Sequence, residues 1–157
     1  MPTLDSMVAD FLAQKRIAVA GITREKDDAA NAICRKLRSA GYQVFAINPN
    51  TTIFDGEPCY PDVKSTPEKP DAVVIVTKPE VTEQIVQQCA DADIHYVWIH
   101  HSFMGNSSSE KAVQFCKEHN INVIANGCPM MFCDPVDFGH KCMRWIGKMT
   151  RALPKQV

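Results

Sequence analysis

Short apolar runs recur through this chain at residues 17–20, 44–47, 72–76, 96–99 and 122–125, with helix-like spacing of apolar residues before, between and after them. The run Ala72-Val-Val-Ile-Val76 is continuous and rich in β-branched residues, the pattern of a parallel strand buried on both faces. Parallel neighbours need long crossovers, and the helical segments are long enough to supply them. The alternation predicts an α/β fold, a doubly wound parallel five-stranded sheet in the order 3-2-1-4-5, as a single domain over 1–157.

The helical spacing is specific enough to place elements. Leu4, Met7, Val8, Phe11 and Leu12 predict a leading helix over 3–14. A second helix is expected over 28–40, with Ala29, Ile33, Leu37 and Ala40 inward and Gly41 ending it. Pro79 suits the first position of a third, running to about Ala92 with Val81, Ile85, Val86 and Cys89 inward. Ser109 to His119 is a fourth. A last helix over about 135–149 starts at Asp134-Pro135 and carries Phe138, Cys142, Trp145, Ile146 and Met149. Residues 48–70, with Gly56, Pro58, Pro61, Pro67 and Pro70, read as a long connection with at most a helical turn.

Composition excludes several classes. A net charge of −1 with scattered Lys and Arg offers no footprint for nucleic acid or an anionic membrane. The acidic start lacks the basic head of a signal peptide and no apolar run approaches spanning length, so a cytoplasmic location is expected. The seven cysteines are irregularly spaced, which argues against a disulfide framework, and Cys34, Cys89 and Cys116 fall inside helical patterns as small core residues. Cys128, Cys133, His140 and Cys142 match no common zinc module.

An open parallel sheet binds ligands beyond the carboxyl ends of its strands, so the residues after each run are the candidates. After the first come Gly21, Ile22, Thr23 and Arg24, where a Cβ-free residue and the positive end of the next helix suit a phosphate. After the second come Asn48, Pro49 and Asn50. An NAD site generally has an Asp or Glu there, so this neutral end disfavours plain NAD and, beside Arg24 and Lys78, tolerates a ribose phosphate as in NADP or coenzyme A. Thr77, Lys78 and Pro79 follow the third run, His100 and His101 the fourth, and Gly127, Cys128 and Pro129 lie just past the fifth.

The segments 18–24 (Ala-Val-Ala-Gly-Ile-Thr-Arg), 40–50, 70–76, 97–100 (Val-Trp-Ile-His) and 127–129 (Gly-Cys-Pro), in this order, resemble the small standalone coenzyme A-binding proteins. These are similar to the nucleotide-binding domain of the succinyl-coenzyme A synthetase α subunit, and the resemblance covers about residues 15–130. It implies a Rossmann-like domain holding the adenosine diphosphate portion of coenzyme A or an acyl-coenzyme A. On matching positions Gly21, Ile22, Thr23 and Arg24 would lie on the pyrophosphate, Asn48 and Pro49 beside the adenosine, and Thr77, Lys78 and Pro79 at the border. The chain departs from the family after the fourth run, where Trp98-Ile-His-His-Ser102 replaces Trp-x-Gln-x-Gly.

Other readings stay open at this point. His100 or His101 is a candidate general base or a satisfied polar pair, and Cys128 a thiol that reacts with the coenzyme thiol or a packing residue. A non-catalytic binding protein stands first. An NADP-dependent oxidoreductase or redox sensor is the rival, with the missing second and third glycines against it. A third reading is an interaction scaffold with a vestigial pocket, touching a partner or a second copy through the Met130–Phe132 segment or the C-terminal helix.

Overall fold

Thr3 and Ser6 start the first helix by a reciprocal capping box, each side chain bonded to the other's backbone N–H. The resulting α1 (Leu4–Leu12) buries Leu4, Val8 and Phe11 on one stripe. The computed structural model describes residues 2–24, 28–102 and 105–133. The expected C-terminal helix over 135–149 lies outside them.

β1 (Arg16–Ala20) leads into α2 (Ala29–Ser39), capped by the Asp28 carboxylate on the Ala30 N–H. Gly41, at φ 97°, ends the helix in the left-handed region as expected. Inward positions of α2 are Ala30, Asn31, Ile33, Cys34 and Leu37; Ala40 is exposed and Ala29 only half-buried, which corrects the expected stripe by one position.

β2 (Gln43–Ile47) is followed by β3 (Ile53–Phe54) and β4 (Glu57–Tyr60), an antiparallel hairpin inside the stretch expected to be irregular. Its turn is Asp55-Gly56, both at positive φ, the geometry of a two-residue hairpin loop. β4 then pairs parallel to β2. Next come β5 (Ala72–Ile75), α3 (Pro79–Asp91), β6 (Tyr96–Ile99), the small hairpin of β7 (His101–Ser102) with β8 (Gly105–Asn106), α4 (Glu110–Glu118) and β9 (Asn122–Ile124). A 3-10 turn, Pro129–Met131, closes the described chain. On α3, Val81 is 41% exposed and Thr82 takes the inward place expected for it.

The main sheet has the order β3-β4-β2-β1-β5-β6-β9. It is parallel throughout except for β3, so the doubly wound α/β architecture stands with more strands than expected. The order changes in one respect: β4, and not the 72–75 strand, lies beyond β2, while β5 sits on the other side of β1. Counting β4 as the third strand restores the 3-2-1-4-5 series with one more strand after it.

Successive residues of each strand feed opposite layers. Ile17, Val19, Val74, Trp98 and Ile124 pack under α1 and α2, whereas Ala18, Val73, Ile75, Val97 and Val123 pack under α3 and α4. Trp98 is fully buried, edge-on to Phe11 at 5.4 Å and tilted against Phe132 at 5.7 Å, with its indole N–H donating to the Gly127 carbonyl. Met131, Phe132 and Cys133 are buried in the same layer, so the Met130–Phe132 segment is core and not a free contact surface.

Candidate functional site

Parallel pairing of β4, β2, β1, β5, β6 and β9 brings the residues after each strand to one edge of the sheet. The crossing from β1 to α2 sits in the middle of that edge, between the ends of β2 and β5. The first turn is drawn tightly into the sheet: the Gly21 N–H donates to the Ile47 carbonyl and the Val76 N–H to the Ala20 carbonyl. Gly21 has φ +104°, and a Cβ there would lie 1.9 Å from the Val76 oxygen, so the space left by the missing side chain is filled by protein backbone.

Ile22 turns its side chain into the core and offers only backbone to the edge. Thr23 is gripped by Asn31 of α2, whose Oδ1 accepts from the Thr23 N–H at 3.0 Å while its Nδ2 donates to the Thr23 carbonyl at 2.9 Å. Asn48, just after β2, holds the same loop from the other side by donating from Nδ2 to the Ile22 carbonyl. Its Oδ1 accepts from the Asn50 N–H. Both ends of the Asn48 amide are thus used within the protein, and among the described residues 48–50, where a ribose diol would be gripped, there is no carboxylate.

Arg24 is exposed and reaches across the edge, donating from Nη2 to the Asn50 carbonyl at 3.3 Å. Pro49 and Asn50 are exposed beside it. On the β5 side, Thr77 and Thr82 share a hydroxyl hydrogen bond of 2.9 Å across the start of α3. Lys78 is the N-cap of that helix, exposed and with no side-chain capping bond, and Pro79 is its first residue. Gly21, Ile22, Thr23, Arg24, Asn48, Pro49, Asn50, Thr77, Lys78 and Pro79 therefore fall on adjoining strand ends.

The β6 end differs from the expected histidine pair. His100 is 3% exposed, its N–H donating to the Ile75 carbonyl and its carbonyl accepting from Ser107, whereas His101 is exposed. Consecutive residues of an extended segment point oppositely, which separates the two imidazoles. Cys128 is also 3% exposed and belongs to the apolar layer with Met131 and Phe132, which does not suit a thiol meeting a ligand thiol. Of the other buried thiols, burial pushes Cys34 up to about 11 and Cys116 up to about 12, so neither is suited to ionise. Among the described residues no group of three or more His, Cys, Asp or Glu could hold a metal ion; His140 and Cys142 lie outside them.

Asn31 is the residue the motif reading overlooked. Its signal was available, as a polar side chain one position from Ala30 on the inward stripe of an amphipathic helix. The end of β4 at Tyr60 and Pro61, also at this edge, went unread because the strand itself was missed. A hollow of about 60 Å³ between α1 and the amino ends of β6 and β9, lined by Met7, Phe11, Tyr96 and Asn122, lies at the opposite edge. Among the described residues no helix is long and apolar enough to cross a membrane.

Comparison with known proteins bears on the fold and the family. Over 80 residues, 51% of this chain, it is 32% identical to an ADP-forming acetate–CoA ligase of Archaeoglobus fulgidus, and that segment is 12% of the ligase. A hypothetical protein from Pyrococcus horikoshii superposes with a TM-score of 0.74 at 27% identity, covering 83% of this chain and 92% of that one. The apo dinucleotide-forming acetyl-coenzyme A synthetase 1 of Ca. Korarchaeum cryptofilum contains the same fold, with a TM-score of 0.60 and 25% identity over 69% of this chain and 25% of the synthetase. The chain thus spans a small part of these two enzymes. The family model for the CoA binding domain matches residues 15–134, and the chain belongs to that family.

Proposed function

We propose that this protein binds coenzyme A or an acyl-coenzyme A along the carboxyl edge of its sheet, as a cytoplasmic single-domain binding protein with no reaction of its own assigned. In this reading the pyrophosphate lies on Ile22–Arg24, the adenosine beside Asn48–Asn50, and Thr77–Pro79 border the site from the β5 side. The family match, and the relation to segments of an acetate–CoA ligase and an acetyl-coenzyme A synthetase, support the ligand class.

The observation that carries it is the bridge of Arg24 to the Asn50 carbonyl, which holds a guanidinium beside residues 48–50, a strand end whose described residues carry no carboxylate. A guanidinium there favours a phosphorylated ribose, and the internally bonded Asn48 amide offers no acceptor pair to a free ribose diol. Calorimetric titration of the reduced protein with coenzyme A, dephospho-coenzyme A, NADP and NAD tests it. Coenzyme A binding that weakens without the 3′-phosphate is expected. Preference for NADP would favour the redox reading, and silence from all four a partner-binding scaffold.

A further inference from the structure

The loop after β1 exposes its amides selectively. The Gly21 N–H is taken by the Ile47 carbonyl and the Thr23 N–H by the Asn31 Oδ1. Among the described residues, the N–H groups of Ile22 and Arg24 meet no acceptor. The alternation has a cause in two asparagines. A trans peptide points its C=O and N–H in opposite directions. Asn31 draws the Thr23 carbonyl under the loop, so the N–H of the same peptide, that of Arg24, is turned away from α2. Asn48 and Asn31 grip both ends of the Ile22–Thr23 peptide and stop it from flipping. Asn31 is 1% exposed, and in a buried position an amide held by two hydrogen bonds has little freedom to exchange partners.

We infer that Asn31 is a positioning residue for anion binding: by holding both polar groups of Thr23 it aims the Arg24 N–H, with that of Ile22, at the pyrophosphate of the ligand. This rests on the coenzyme A reading of the site and adds to it which backbone donors meet the anion. Asn31 touches no ligand itself, and acts only through the loop.

The test compares wild type, Asn31→Ala, the shorter polar Asn31→Ser, and Val123→Ala on the far strand β9 as a control for general destabilisation. Each is titrated with coenzyme A and, separately, with inorganic pyrophosphate, and backbone amides are followed by NMR. In the wild type the Thr23 N–H is expected to be protected from exchange without ligand, and the Arg24 N–H to be unprotected until coenzyme A is added. Both Asn31 variants should bind coenzyme A about tenfold more weakly or worse, while Val123→Ala stays within about twofold of wild type at a comparable loss of melting temperature. Should the Asn31 variants fail to fold, the wild-type exchange pattern decides: an Arg24 N–H unmoved by bound coenzyme A overturns the inference. Asn31 variants that bind both probes as wild type does would also overturn it and leave the coenzyme A reading standing. Binding of pyrophosphate but not coenzyme A to the wild type, lost in the Asn31 variants, would support the positioning role and remove the coenzyme A reading. Binding of neither probe would remove both.

Discussion

The alpha carbon of Gly21 faces the carbonyl oxygen of Val76 so closely that an added Cβ would stand 1.9 Å from it. The ends of β1 and β5 meet there, and the backbone at φ +104° is a conformation that L residues rarely adopt. Gly21→Ala therefore combines dihedral strain with a clash against backbone, which cannot rotate away as a side chain would. The expected cost is about 2–4 kcal/mol, read as a lower urea midpoint at unchanged slope. A cost below about 1 kcal/mol would show that the strand ends can part.

Arg24 has the opposite profile. Its side chain is exposed and its one described bond, to the Asn50 carbonyl, is long at 3.3 Å, so Arg24→Ala should leave the melting temperature almost unchanged. Affinity for coenzyme A should fall by about 1–3 kcal/mol, and Arg24→Lys should restore part of it, because a lysine keeps the charge but not the planar fork. The deficit should shrink for dephospho-coenzyme A if the guanidinium meets the 3′-phosphate. Equal affinities across the three proteins would take Arg24 out of the site.

How much of this was legible differs from residue to residue. The strand carrying Ala72–Ile75 and the helix opened by Pro79 were readable because burial on both faces and the proline's missing N–H each leave a local mark. The β3–β4 hairpin was not read among its prolines, although Asp55-Gly56 is a strong turn signal, because strands of two and four residues are too short for alternation to register. That omission alone displaced the strand order. The site edge followed from the chain's alternation, but the separation of His100 from His101 and the burial of Cys128 depend on the β7–β8 hairpin and the Pro129–Met131 turn, which only tertiary packing defines. Asn31 was hidden for a related reason: its partner Thr23 lies in a loop, where spacing carries no information about contact.

At the amino edge, Asp71 couples two strands. Its carboxylate accepts from the Arg16 backbone N–H at 3.0 Å and pairs with the Arg16 guanidinium at 3.1 Å. Partial burial alone would raise its pKa, but the hydrogen bonds from Arg16 outweigh it and hold the carboxyl below its ordinary 3.8. A depressed folded-state pKa contributes stability that is fully present above the unfolded value and is lost as pH falls through the folded one. Stability should therefore decline with acid below about pH 4, and Asp71→Asn should flatten that part of the curve while costing about 1 kcal/mol at neutral pH. Urea unfolding of both proteins between pH 3 and pH 7 checks this. An unchanged acid slope in the variant would mean that Asp71 is not the group responsible.

α1 is held to the sheet by the edge-on contact of Phe11 with Trp98, and Trp98 is in turn backed by Phe132. The three rings join α1, β6 and the turn after β9 into one apolar layer. Truncating Phe11 removes a ring from a fully buried position packed against Trp98. Phe11→Ala should cost about 3–5 kcal/mol. In a Trp145→Phe background, where Trp98 is the remaining indole, its emission should move to longer wavelength as water gains access, before the sheet itself unfolds. Coenzyme A affinity should persist wherever the variant is folded, because Phe11 lines the hollow at the edge opposite Ile22–Arg24. A large loss of affinity in a still-folded Phe11→Ala protein would instead place α1 in communication with the ligand edge.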